Sequence, residues 1–301
     1  KALKYIERTT GLVKEEIIYG KFFVELVYGD RLKNIICRFF FLPFIARLPY
    51  FSQIFGWAQK RPASKKKIDP FIKKYNIKQE EFLNPSSSFN SFNDFFIRKL
   101  KKGARPVHTC QDSVVFPADG RHLVYPDLSC VDKFYAKGQL FDLKAFLNDS
   151  GLCALFSKGS MVISRLCPVD YHRYHFPFDC NVRWERPISG SLSSVNPFAL
   201  KKYLNIFWNN KRVISLLESK YFGEALYVEI GATCVGSINN TYKNSAIKDF
   251  QKGDEKGYFE FGGSCVIIIF KPNTIIFDAD LVSASARCIE TYAQMGTKMG
   301  K

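Results

Sequence analysis

The chain has 301 residues, 47% hydrophobic and 24% charged, the balance of an ordinary globular protein able to bury a sizeable core. Its 44 Lys and Arg against 28 Asp and Glu leave a net charge of +16, which predicts an anionic partner, either nucleic acid or an anionic membrane surface. Nine cysteines with no C-x-x-C and no closely spaced Cys/His pair argue against a zinc site, and their odd number suits a reducing compartment.

The opening KALKYIERTTGLVKEE is polar and charged, unlike a secretory signal peptide, and predicts a cytoplasmic protein. Residues 1 to about 75 read as short helices. KEEIIYGKFFVELVY places apolar residues at helical spacing, and Pro43, Pro49, Pro62 and Pro70 punctuate the chain beyond it. The stretch Ile35 to Phe55, IICRFFFLPFIARLPYFSQIF, is broken by Arg38, Pro43, Arg47 and Pro49. It falls short of the roughly 20 uninterrupted apolar residues of a spanning helix. It is either a buried core helix or an interfacial segment whose arginines reach the headgroups. The adjacent KRPASKKK, Lys60 to Lys67, has five basic residues and no acid. Each is worth about 1 kcal/mol near an anionic leaflet, which favours peripheral membrane association.

Residues 76 to 107 read as another helical, basic stretch, with FNDFFIRKLKKGARP ending at a Gly and a Pro. From about residue 112 the texture changes to short β-branched runs between turn signals: SVVFPADG, GSMVISRL, NVRWERPISGSLSSV, RVISLLE, ALYVEIGATCVGSI, CVIIIF and TIIFDADLV. Helices are expected near 142 to 148 and 197 to 207. The predicted class is α+β: a mainly antiparallel β catalytic body preceded by membrane-facing N-terminal helices.

GYFEFGGSCVIIIF, residues 257 to 270, poses the chemical question. Gly262 and Gly263 could turn a tight hairpin between strands Tyr258–Phe261 and Val266–Phe270. Alternatively, they clear space around one peptide bond for attack by the Ser264 hydroxyl. Two of the four histidines, His172 and His175, lie in CPVDYHRYHFP. They could be packed core, and no nearby acids and cysteines complete a metal-ligand set. Asp119 in VVFPADGRHLV could be a plain Asp-Gly turn. Together, Ser264, a histidine and Asp119 would supply nucleophile, base and orienter for acyl transfer. No G-x-S-x-G elbow surrounds Ser264, which disfavours an α/β-hydrolase.

FPADG, DYHRYHFP, GSLSSVNP, VEIGATCVGSI and GYFEFGGSCVIIIF occur in the order found in phosphatidylserine decarboxylases, and FNDFFIRKLKKGARP and KGQLFDL also resemble that family. The resemblance covers roughly residues 90 to 282. One departure is Cys265, where the family usually has Thr after the serine.

The resemblance implies a bacterial-type proenzyme that cuts itself between Gly263 and Ser264 into a large chain, 1–263, and a small chain, 264–301. Ser264 would attack the Gly263 carbonyl, with His175 as base and Asp119 orienting it. Elimination and hydrolysis would leave a pyruvoyl group, the cofactor, at residue 264. That group would form a Schiff base with phosphatidylserine, and His172 would reprotonate the carbon after carbon dioxide leaves. No metal and no nucleic acid enter this scheme. Residues 1–75 would be a membrane-associating segment and 76–301 the catalytic domain, peripheral on the cytoplasmic face of the cell membrane, with a homodimer expected. Two rivals differ in class. A Ser-His-Asp lipid hydrolase would remain one chain, and a charge-driven binding module would need neither Ser264 nor His172.

Overall fold

The computed structural model describes residues 3–16, 56–130, 133–134, 136–137, 140–232, 237–246 and 248–301. The Ile35–Phe55 segment and most of the Lys14–Tyr28 stretch lie outside the described residues, as do Thr233 to Gly236 of VEIGATCVGSI. No described helix is long and apolar enough to cross a membrane.

In chain order the strands are β1 (Lys4–Glu7), β2 (Val13–Glu15), β3 (Val114–Val115), β4 (Gly120–Tyr125), β5 (Lys133–Phe134) and β6 (Ala136–Lys137). They continue with β7 (Ser160–Leu166), β8 (Arg173–His175), β9 (Cys180–Ile188), β10 (Arg212–Ser219), β11 (Gly223–Gly231) and β12 (Ile238–Asn239). The last are β13 (Asp249–Phe250), β14 (Glu255–Phe259), β15 (Ser264–Phe270), β16 (Glu290–Ala293) and β17 (Lys298–Gly300). Helices are α1 (Ile68–Tyr75), α2 (Phe92–Phe96), α3 (Leu143–Leu147), α4 (Ser150–Phe156), α5 (Pro197–Lys202), α6 (Ile206–Asn209) and α7 (Ala279–Ala286).

Among the described residues, the main sheet runs β13-β9-β10-β11-β15-β7-β4-β16-β1-β2, and β12-β14-β8 forms a separate small sheet. Pairing is antiparallel except between β1 and β16. The class is α+β with a large, mostly antiparallel body, as the texture after residue 112 predicts. Central strand β15, SCVIIIF, shows no polar alternation because both of its faces are buried. Val266, Ile268 and Phe270 face an aromatic cluster shared with Tyr174 and Phe259 of the small sheet and with Phe176 just beyond β8. Cys265, Ile267 and Ile269 face an aliphatic cluster built with α3 to α6.

Several expectations are corrected. Residues 4–15 are strands, not helices: Gly11, at φ 69°, turns the chain so that β2 returns along β1, and β1 extends the main sheet beside β16. Helix α2 stops at Phe96 rather than running through FNDFFIRKLKKGARP, because the chain turns there and Leu100 bridges back to Phe82. TIIFDADLV is not a strand; Asp278 opens α7 instead.

The proposed hairpin is also absent. β14 pairs with β8 and β12 in the small sheet, whereas β15 pairs with β11 and β7 in the main one. Residues 260–263 therefore cross between two sheets, and the two glycines do not close a two-strand turn.

Candidate active site

Two segments make the same crossing. Residues 167–172 leave β7 for β8, and residues 260–263 leave β14 for β15. They run side by side: the Phe259 N–H donates to the His172 carbonyl at 3.0 Å, and Ser264 lies opposite Leu166. Their arrangement brings His172 to the residues just before Ser264.

Helix α2 supports both segments. Ser91 caps it by accepting the Asp94 N–H at 3.1 Å. Asn93 accepts the Phe261 N–H at 2.9 Å, and Phe261 packs edge-on against Phe92 and Phe96. Phe96 also lies against the His172 ring, with centroids 3.8 Å apart. Arg173 donates to the Ile97 carbonyl at 2.7 and 2.9 Å and pairs with Glu255, tying β8 to the end of α2. A buried ion network shapes the 167–170 turn. Arg121 pairs with Asp170, Asp170 accepts the Cys167 N–H at 2.6 Å, and Arg165 pairs with Glu16 and Glu290. Burial alone would raise the Glu16 pKa, but Arg165 and Arg121 outweigh it and hold the carboxylate down at about 2.

Ser264 opens β15 fully buried, and its Oγ has no hydrogen-bond partner among the described residues. By strand alternation its side chain shares the Val266 face, toward the small sheet. Cys265 points the opposite way, into the aliphatic cluster, and burial pushes its thiol pKa upward. The thiol is therefore protonated and turned away from the Ser264 hydroxyl.

Gly262 has φ 146°, a backbone conformation that a side chain would strain. At Gly263, by contrast, an added Cβ would meet Val195 at 3.6 Å and Ala232 at 3.8 Å, which are ordinary contacts. The strain sits one residue earlier. Val195 comes from GSLSSVNP and Ala232 from VEIGATCVGSI, so motifs distant in sequence meet around this bond.

Both histidines are buried with a defined tautomer. His172 Nδ1 lies 2.9 Å from the Asp170 carbonyl and His175 Nδ1 lies 2.9 Å from the Gly253 carbonyl. A carbonyl only accepts, so each Nδ1 carries the hydrogen and each Nε2 exposes its lone pair. Neither Nε2 has a partner among the described residues. Burial pushes the His172 pKa down to about 3, opposed by the Asp170 carbonyl. The Gly262 carbonyl also stands close enough to favour protonated His172, although it makes no hydrogen bond to Nε2. Burial likewise lowers the His175 pKa. Both rings are neutral bases in the intact chain. The ordinary imidazole pKa near 6.5 does not hold for His172 in this packed chain.

Asp119 is not a turn residue. Its carboxylate, fully buried, accepts from Arg105 Nε at 2.9 Å and Nη2 at 2.7 Å, and from the Met295 N–H at 2.9 Å. Gly120 follows because a Cβ there would reach 2.6 Å from the Arg165 carbonyl oxygen. Asp119 makes no hydrogen bond to His175, and its charge is a minor influence favouring the protonated ring. The His175 N–H does donate to the Pro117 carbonyl at 2.8 Å, which holds β8 against this segment. Along β8, His175 pairs with Glu255 while His172 meets Phe259, so His172 is nearer the glycines.

Asn93, Phe96, Arg98, Arg105, Arg121 and Asp170 were not singled out from the sequence. Most of them lie in the stretches that carry the family resemblance, which was the available signal. No cluster of three or more metal-ligating side chains occurs among the described residues. A surface hollow of about 640 Å3, lined by Asp149, Leu152, Leu155, Trp184 and Arg186 among others, shares no residue with this group.

A family model described as phosphatidylserine decarboxylase matches residues 92–301. A phosphatidylserine decarboxylase proenzyme of Chlamydia trachomatis serovar L2 is 43% identical over 301 residues, spanning 99% of this chain and 96% of that one. Proenzymes of the same description from Chlamydia muridarum and Chlamydia pneumoniae are 44% identical over 297 residues and 43% over 299. Each alignment spans 99% of this chain, with 96% and 97% of those relatives covered.

Proposed function

Since the chain belongs to the phosphatidylserine decarboxylase family, we propose that it is a proenzyme that cuts itself between Gly263 and Ser264. It then converts phosphatidylserine to phosphatidylethanolamine and carbon dioxide. The observation that carries this reading is that Ser264 Oγ, His172 Nε2 and His175 Nε2 are all buried without hydrogen-bond partners among the described residues. Leaving three such groups unpaired is costly, and active sites are where proteins tolerate that cost.

A neutral imidazole takes the Oγ proton as Oγ bonds to the Gly263 carbonyl carbon. The carbon–nitrogen bond then breaks, and the proton passes to the amide nitrogen. Elimination releases the Gly263 carboxylate and leaves a dehydroalanine. Addition of water and loss of ammonia complete the pyruvoyl group. His175, influenced by Asp119, is the proposed base, and His172 is the proposed proton donor to the product carbon. The pyruvoyl group would supply a carbonyl that captures the substrate amine and accepts the electron pair left by carbon dioxide. Ser264 fits its formation because its buried hydroxyl directly follows Gly263, one residue after the strained Gly262, and lies on the strand face turned toward the small sheet. As donor, His172 needs a higher pKa than about 3, and an incoming anionic substrate raises it.

The lipid setting is part of the same reading. Lys60 pairs with Glu260 at 2.7 Å, and Ser64 accepts the Phe92 N–H at 2.9 Å. The basic Lys60–Lys67 stretch thus packs on the elements that hold the site, with Trp57 half exposed under Arg61. On this reading the protein is peripheral on the cytoplasmic face of an anionic membrane and associates through residues 1–75, of which residues 4–15 are strands of the catalytic sheet itself. The resemblance also implies a homodimer, which sedimentation of the matured protein tests.

Intact mass under denaturing conditions tests the reading. Two chains split after Gly263, the smaller carrying a pyruvoyl terminus in place of an N-terminal serine, is the expected result. A single chain of 34.6 kDa that hydrolyses lipid esters would favour the Ser-His-Asp hydrolase instead.

A further inference from the structure

We infer that Arg98 is the receptor for the phosphodiester of the substrate headgroup, a step that rests on the decarboxylase reading above.

Arg98 follows α2, and its side chain turns inward, leaving the residue only 5% exposed. Its guanidinium lies over the rings of Phe82 and Phe95, at 5.2 and 4.8 Å. Two long contacts are its hydrogen bonds, to the Phe95 carbonyl at 3.4 Å and the Asp170 carbonyl at 3.5 Å, and Nε has none. No carboxylate lies within ion-pair distance of it among the described residues.

The other buried or half-buried arginines of the body have close charged or carbonyl partners, although Arg121 Nε likewise lacks a hydrogen bond among the described residues. Arg105 has Asp119 and Glu81, Arg121 has Asp170, Arg165 has Glu16 and Glu290, and Arg173 has Glu255. Arg212 also lacks an acid, yet it donates to four backbone carbonyls at 2.8 to 3.1 Å. Arg98 alone among these six combines deep burial with poor hydrogen bonding and, among the described residues, no carboxylate at ion-pair distance, the charges of Asp119 and Asp170 reaching it only from further away. A buried cation in that condition is strongly destabilising unless something completes it. Burial also draws its pKa down to about 10.

Its position identifies what would complete it. The Asp170 carbonyl that meets Arg98 Nη2 also accepts the His172 Nδ1–H. The guanidinium and the imidazole therefore converge on one oxygen, and His172 is the ring beside Gly262. Phosphatidylserine brings two anionic groups there. Its carboxylate loses its charge as carbon dioxide departs, so a cation held against it would stabilise the ground state and slow the reaction. Its phosphodiester keeps its charge throughout and sits three bonds from the reacting carbon. The guanidinium fork matches phosphate oxygens, and binding there anchors the headgroup without opposing the chemistry. The bound anion would also cancel the Arg98 charge, which now disfavours protonated His172.

The test uses the full chain with Arg98→Met and Arg98→Lys. Glycerophosphoethanolamine, the deacylated product headgroup, is titrated calorimetrically, and KM and kcat are measured with short-chain phosphatidylserine. Arg98→Met is expected to weaken headgroup binding tenfold or more and to raise KM in step, with kcat within threefold of the parent. Arg98→Lys should recover part of the binding. Because the methionine removes an unpaired charge, its melting temperature should be no lower than the parent's. Headgroup binding equal in parent and Arg98→Met overturns the proposal, as does a fall in kcat alone. A melting temperature several degrees lower in Arg98→Met also overturns it, by showing that Arg98 is structural. A parent that binds the headgroup through Arg98 but decarboxylates nothing would overturn the decarboxylase reading and leave this one standing.

Discussion

The Phe259 N–H donates to the His172 carbonyl at 3.0 Å. That bond locks together the two segments that cross between the sheets, one carrying the histidine and the other leading into Gly262 and Ser264. It places His172, rather than His175, at the end of β8 nearest the glycines.

The two histidines should separate in their effects along the roles that the family resemblance implies. His175→Ala is expected to remain a single chain, whereas His172→Ala is expected to cleave and then lose decarboxylation by about 100- to 10,000-fold. Electrophoresis of the freshly purified variants and a carbon dioxide release assay measure the two steps. Cleavage retained in His175→Ala and lost in His172→Ala would assign the cleavage base to His172.

Neighbouring glycines should also behave differently. Gly262 holds φ 146°, so Gly262→Ala is expected to cost about 1–3 kcal/mol and to slow cleavage sharply. An alanine at 263 meets only ordinary contacts with Val195 and Ala232, so Gly263→Ala should fold with a melting temperature within a few degrees of the parent. Thermal melts of both variants in a Ser264→Ala background, where cleavage cannot intervene, distinguish them. Equal losses at both positions would refute the assignment of strain to Gly262.

Cys265→Thr restores the residue usual in the family. Because position 265 faces the aliphatic cluster and not Ser264, the cleavage rate should change by less than about threefold. The cost should appear in stability, about 1–3 kcal/mol for a hydroxyl placed among apolar side chains without a partner. Denaturant unfolding and a cleavage time course read the two effects. A large rise in cleavage rate would mean that the thiol obstructs the reaction after all.

Acid should destabilise the precursor through His172. Burial holds its pKa near 3 in the folded chain, against about 6.5 when unfolded. Between those values the unfolded chain binds the extra proton, so this contribution is fully present above pH 6.5 and is lost as pH falls toward 3. From pH 6.5 to 5 the difference is about 2 kcal/mol. In a Ser264→Ala background, His172→Gln should therefore lose about that much less stability than its parent over the same interval. Identical pH profiles would show that His172 is not held neutral.

The sequence by itself determined the chemical inventory and much of the texture. β-Branched runs such as CVIIIF and GSMVISRL became β15 and β7, because a strand buried on both faces needs little beyond its own apolar residues. Ser264, two histidines and Asp119 could be picked out because few residue types support acyl transfer, and the ordered motifs pointed to the family. Tertiary structure decided the rest. Local propensity allowed a hairpin at Gly262–Gly263, yet β14 and β15 joined different sheets, a matter of long-range pairing that no local pattern encodes. Helical expectation at residues 4–15 gave way to β1 because the free side of β16 offered a partner almost the whole chain away. Asp119 gained Arg105 as its close partner, and Arg98 emerged with no carboxylate at ion-pair distance among the described residues. Partnership among buried charges depends on which side chains the fold brings together, and only the packed molecule determines that.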